Sequence, residues 1–327
     1  MIAKPAEYRI AETNALLKAA TICWKSISAL NGYWQAIESD FIAEEMRLLH
    51  LCEIKNSLEH DQLNIALIRL LEANASENAL NEPLALLIRD MLSTSLGIRH
   101  SSSHLLLLNY NSLPVNRKEK EQINVQTLRK DINNYFETPA DLDPLLQMAL
   151  IYGYMVHPEN SLKYKHLMAN YFVNFKLFEN GQIQQPALPL GFAFKSDNRT
   201  RNAIINEAYG TGNLQTWCLY FLQQTNRAAI HRLNQLKNMV QQKKVTLDLL
   251  SKHTAYPLPS KELNTLLASS VFMKAGDIIS IMQCHRQTAY AYLQQMTTLG
   301  LITEKKSGRE KLFFHKRLFD ILADEQV

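Results

Sequence analysis

The sequence predicts a mainly α-helical protein in two parts, and three observations carry that prediction. Apolar residues recur at helical rather than alternating spacing through most of the chain. Glycine is scarce, at 10 of 327 residues, while Leu, Ala, Gln, Asn and Met abound. A polar stretch with two prolines, "KHTAYPLPSKE" (Lys252 to Glu262), separates a long helical region from a shorter basic one. The expected organisation is an N-terminal helical region over 1–95, a helical core over 96–245, a linker over 246–262 and a C-terminal module over 263–327.

Along the chain, "LNIALIRLLEA" places Leu63, Ile65, Ala66, Ile68, Leu70 and Leu71 on one broad apolar face. The run "HLLLLNYNSLPVN" (His104 to Asn116) is short, apolar and followed by turn residues and a proline, which suits a strand or a small hairpin. "VQTLRKDINNYF" returns to helical spacing through Leu128, Ile132 and Phe136. "DPLLQMALIYGYMV" and "LMANYFVNFKLFENG" are two further helices, joined by "HPENSLKYKH". "TWCLYFLQQTNRAAIHRLNQLKNMVQQ" reads as one long helix or two joined ones.

Composition excludes several classes. The N-terminal residues lack the apolar core and cleavage site of a secretory signal, and the apolar runs are too short to span a bilayer. The expectation is a cytoplasmic protein without membrane contact. Cys23, Cys52, Cys218 and Cys284 stand singly, so neither zinc ligation nor a disulfide framework is expected. "HSSSH" places His100 and His104 four apart, but with serines between them and no third ligand nearby it gives no metal site. A net charge of +4 is too weak by itself to imply nucleic acid.

The positive charge is concentrated near the C-terminus. "AGDIISIMQ" is a short helix, and "HRQTAYAYLQQMTTLG" follows after a turn at Cys284. In that second helix Ala289, Leu293, Met296 and Leu299 face a core, and Arg286, Gln287, Tyr290 and Gln294 lie opposite. Gly300 ends it. "LITEKKSGREKLFFH" then supplies a hairpin with Lys305, Lys306 and Arg309 around its tip and Lys311 on its return strand. From Cys284 to Arg317 there are seven Lys or Arg against two acids. This order of elements resembles a winged helix-turn-helix. The resemblance implies a helix in the DNA major groove, with Arg286 and Gln287 at base edges and the hairpin lysines and Arg309 on phosphates. The other reading of the same module is a protein-docking or dimerisation domain with a solvated basic face.

The core resembles the Fic family. The carriers are "VQTLRKDINNYFETPADLDPLLQMALIYGYMVHP", the exit "LMANYF", the stretch "KSDNRTRN" with the Trp-bearing helix after it, and "LGIRHSSSHLLLLNYN" as a GxxR segment and substrate-holding flap. The fold implied is a Fic-like helical domain with a small β-hairpin flap, followed by the winged helix. The activity implied is transfer of AMP from ATP to a protein hydroxyl, with ATP and Mg²⁺ as cofactors and a protein as target. The family motif is His-x-Phe-x-Asp/Glu-Gly-Asn-Gly-Arg-x-x-Arg: a base, a metal-holding acid, an amide nest for phosphates and neutralising arginines.

Set on this motif, His157 is the base, Glu159 the acid, Asn160 stands in the nest, and Lys163 and His166 take the places of the arginines. The phenylalanine and the glycines are missing, and the loop is shorter than the family's. Without glycine the nest does not readily reach positive φ, and lysine lacks the bidentate fork of arginine. Positioning supplies much of the rate in this chemistry, so these losses compound. The expectation is therefore a catalytically impaired Fic-like protein that binds DNA and needs no cofactor, the alternative being a divergent AMP transferase. "EIKNSLEHD" resembles the family's inhibitory helix, with Ser57 and Glu59 as its relics. The family resemblance also allows a homodimer.

Overall fold

The computed structural model describes residues 10–37, 127–128, 130–136, 141–160, 165–195, 198–253, 272–307 and 310–323, with single positions between 46 and 56. The 61–71 helix, the 104–116 hairpin, most of the 246–262 linker and the relics Ser57 and Glu59 lie outside the described residues. Within these residues nine helices and three strands have both ends defined, and 130–136 is helical besides.

Helix α1 (Asn14–Ala36) starts at Thr13, whose hydroxyl accepts the Leu16 N–H at 3.4 Å. Leu16, Ala20, Cys23, Ile27, Leu30 and Trp34 recur at alternating steps of four and three, so one stripe is buried. Residues 130–136 are helical, with Ile132 buried as its spacing predicts. Helix α2 (Pro144–Val156) is buried at every position from Leu145 to Val156 except Gln147. A helix apolar all round belongs in the middle of a core, and α2 lies between α3 (Lys165–Glu179) and α6 (Gln215–His253). Asp143 starts it: one carboxylate oxygen accepts the Leu145 N–H at 2.8 Å, the other the Trp24 indole N–H at 2.9 Å. Capping and tertiary anchoring thus fall on one side chain.

Two short helices, α4 (Leu190–Lys195) and α5 (Asn198–Thr211), bring the chain to α6. Asn174 on α3 pins the approach to α4, donating to the Leu188 carbonyl at 3.0 Å and accepting its N–H at 2.7 Å. Helix α6 is a single helix of 39 residues, about 58 Å long. It runs without a break through 246–253, the first part of the segment read from sequence as a linker. Its first half packs on α1, α2 and α4. Tyr152, Phe194, Trp217 and Phe221 stack together there, with ring centroids 4.9 to 6.3 Å apart.

The C-terminal module runs β1 (Phe272–Met273), α7 (Ala275–Met282), α8 (Arg286–Thr298), β2 (Thr303–Ser307), β3 (Glu310–Phe314) and α9 (Lys316–Ala323). The strands form an antiparallel sheet in the order β1-β3-β2, with Ser307 opposite Glu310 and Met273 opposite Phe313. The hairpin and the stop at Gly300 (φ 69°) are where the sequence predicts them. The turn before α8 is made by Gln283 at φ 47°, next to Cys284. Strand β1 has no sequence signal, since two residues are too few to show a period.

Two cores result. The larger gathers α1–α6, and Leu318 and Leu322 of α9 belong to it. The smaller holds Met273, Ile278, Ala289, Leu293, Met296, Leu301, Ile302 and Phe313, with Leu247 and Leu249 of α6 against it. Helix α6 therefore serves both. Among the described residues no helix is long and apolar enough to cross a membrane.

Candidate functional site

Two places match the residues singled out from sequence: the loop after α2 and the outer face of α8. Helix α2 ends at His157, whose backbone leaves the helical region (φ −52°, ψ 141°). A helix end exposes unsatisfied carbonyls, and two groups of Asn160 and one of Lys165 meet them. The Asn160 side-chain amide donates to the Tyr154 carbonyl. The Asn160 N–H donates to the His157 carbonyl at 3.0 Å, and Lys165 Nζ reaches the same oxygen at 3.2 Å. Residues 157–160 are thus folded onto the end of α2.

The His157 imidazole is buried, 5.5 Å centre to centre from the Tyr209 ring. Its Nδ1 accepts the Glu159 N–H at 3.2 Å. In the neutral ring the proton therefore sits on Nε2, which donates rather than accepts. Burial lowers the pKa; Glu159 opposes that shift and Lys165 adds to it. Glu159 itself is exposed. Lys163 lies outside the described residues.

His166, on α3, lies against an arginine that the sequence reading had not assigned. Arg201 of α5, 3 % exposed, places a guanidinium nitrogen 3.0 Å from His166 Nε2. Arginine only donates, so Nε2 accepts and His166 is neutral. Burial first, then Arg201 and Lys165, push its pKa down to about 3. The position equated with an arginine is thus an uncharged acceptor, and the positive charge comes from another helix. "KSDNRTRN" was the only sequence hint, and its periodicity does not say which of its two arginines turns inward.

In the segment resembling the inhibitory helix, Glu53 is buried and its carboxylate accepts the Gly191 N–H at 2.6 Å. This anchors the start of α4, a role without a sequence signature. His50, one turn earlier, is buried too, and burial followed by the charge of Arg232 lowers its pKa to about 3. Among the described residues no three His, Cys, Asp or Glu side chains converge as a metal site.

On α8, Ala289, Leu293 and Met296 are buried, while Arg286, Gln287 and Gln294 are exposed and Tyr290 is half-buried. The Arg286 guanidinium lies over the Tyr290 ring at 5.7 Å. On the hairpin, Lys311 is paired with Glu304 at 2.9 Å across β2 and β3. Lys305 and Lys306 stand opposite Leu312 and Lys311 in register, and Arg309 lies outside the described residues. The exposed face of α8 and a hairpin with four basic and two acidic residues thus belong to one small module.

The fold defined by these elements is that of Fic proteins. A crystal structure of a Fic family protein from Desulfovibrio desulfuricans is similar to this chain with a TM-score of 0.51 at 10 % identity, covering 94 % of this chain and 98 % of that one. Residues 248–318 match the family described as "Protein adenylyltransferase SoFic-like, C-terminal domain". The likeness along the whole chain is thus one of fold, and the family match is confined to the C-terminal residues 248–318.

Proposed function

We propose that the chain is a Fic-like protein impaired in nucleotide transfer, acting in the cytoplasm as a DNA-binding regulator through a C-terminal winged helix. The observation that carries this reading is the exposure of Arg286, at the first turn of α8, and of Gln287 and Gln294, on the side away from its buried stripe. Arg and Gln are side chains that make bidentate contacts to purine edges, and lysines on a neighbouring hairpin suit phosphates. Impairment is supported by the loop. The Asn160 amide caps α2, the neutral His157 ring carries its proton on Nε2 and His166 is held neutral beside Arg201, so none of the three offers a positive charge to a triphosphate.

The test is fluorescence anisotropy with duplex DNA over a salt series. Wild type binds with an affinity that falls steeply as salt rises. Arg286→Ala loses about 1–3 kcal/mol, and Lys305→Ala/Lys306→Ala lowers the salt slope by about two. Unchanged affinity in both variants removes the main support.

The C-terminal match to an adenylyltransferase family favours a second reading, AMP transfer from ATP with Mg²⁺ to a protein hydroxyl. Incubation with labelled ATP and Mg²⁺ separates the two. The first reading gives equal, background signals for wild type and His157→Ala, and the second gives a signal that the variant abolishes.

A further inference from the structure

A buried side chain sits between the small and large cores. Strand β3 ends at Phe314 and α9 begins at Lys316, and between them His315 is 3 % exposed. Upstream, Phe313 lies in the small core; downstream, Leu318 and Leu322 lie in the large one. His315 Nδ1 accepts the Leu318 N–H at 3.1 Å and so caps α9. Its Nε2 lies 3.4 Å from the Thr246 hydroxyl on α6. That hydroxyl donates its own proton to the Gln242 carbonyl at 2.9 Å and accepts from the Gln242 amide at 3.1 Å. Its proton being committed, Nε2 must be the donor between them.

One tautomer of neutral imidazole satisfies both contacts, with the proton on Nε2. A second proton on Nδ1 would set N–H against the Leu318 N–H and place a charge in a buried site. We propose that His315 is a proton-sensitive latch: neutral, it holds α9 and the module joined to it against α6, and protonated, it lets α9 go. This does not depend on what the module binds.

The charged groups around it do not favour protonation. On α9, Arg317 acts against a positive ring, and Lys316 is paired with Asp320 at 3.1 Å. On α6, Lys243 and Lys244 precede Thr246 by three and two positions, and Asp248 is paired with Lys252 at 2.7 Å. On the sheet, β1 carries no charge and Glu304 of β2 is paired with Lys311. Burial, the largest influence, lowers the His315 pKa, with Arg317 adding to the shift and a backbone hydrogen bond partly opposing it. A depressed histidine pKa means the undocked state binds the proton more tightly. The latch is therefore fully closed above about pH 6.5 and weakens as pH falls toward the docked-state value.

Hydrogen exchange on the full chain tests this, because other buried histidines also titrate and only a local readout isolates His315. His315→Asn keeps an acceptor for the Leu318 N–H and takes up no proton. After correction for intrinsic exchange, wild-type amides of 316–322 should open faster at pH 5.5 than at 7.5. The gain should approach tenfold per pH unit crossed between the two pKa values. Relative to the α2 amides, the Asn variant should show no such gain. Equal behaviour of wild type and variant, or no acceleration in wild type, overturns the latch. Nitrogen NMR of the wild-type ring is a second measurement that needs no variant. The Nε2–H tautomer titrating below about 6.5 agrees with the proposal, and the Nδ1–H tautomer or a value at or above 6.5 overturns it.

Discussion

Gly153→Ala should destabilise the protein, although alanine is the better helix former. Gly153 sits in the middle of α2, where a Cβ would collide with the Tyr209 hydroxyl and come within 2.7 Å of the Trp217 indole nitrogen. Both are fixed: Tyr209 donates to the Leu150 carbonyl at 2.8 Å and Trp217 to the Ala149 carbonyl at 2.7 Å. Displacing them weakens two hydrogen bonds of about 1 kcal/mol each, and overpacking adds about 1–3 kcal/mol. Relief of the glycine penalty returns about 1 kcal/mol. The net expectation is a loss of about 2–4 kcal/mol, read by urea denaturation as a lower midpoint at constant slope. Adding Tyr209→Phe removes the nearer obstacle, so the double variant should lose less than the sum of the two single losses. A Gly153→Ala protein as stable as wild type would refute the packing argument.

Asp143→Ala removes the α2 cap and the Trp24 partner together, for an expected loss of about 2 kcal/mol by thermal or urea denaturation; Asp143→Asn, which keeps one acceptor oxygen, should lose less. His166→Arg restores the family's residue type but sets a second cation beside buried Arg201, so it should cost about 3 kcal/mol or more and yield no AMP transfer in a labelled-ATP assay. His50 and His166, both lowered to about 3, contribute stability that is complete above the unfolded histidine value and lost as pH falls below it. Between about pH 6 and 4 each should remove up to about 1.4 kcal/mol per pH unit, so unfolding free energy measured across that range should fall steeply, and a flat profile would contradict their burial.

How much of this was legible in the sequence varies by element. Helices α2, α3, α6 and α8 are plain from spacing, because a buried helix face imposes a period on the chain itself. The stop at Gly300 and the β2–β3 hairpin are equally local, resting on one glycine conformation and one turn. The loop after α2 could be read as departing from the Fic motif, since missing glycines are visible in any sequence. What those residues do instead was not visible. That Asn160 caps α2, that Arg201 comes to His166 and that Glu53 holds the start of α4 depend on contacts between distant segments. His315 escaped notice for the same reason: its meaning lies in Thr246, 69 positions away.

One pair of titrations reads directly where the chemistry of this chain resides. Wild type and Arg286→Ala are titrated onto labelled duplex DNA at low salt, with labelled ATP and Mg²⁺ offered to the same preparations. Salt-sensitive DNA binding that weakens in the variant, with no AMP transferred by either protein, is the predicted result. Absence of DNA binding together with AMP transfer that His157→Ala abolishes would contradict it.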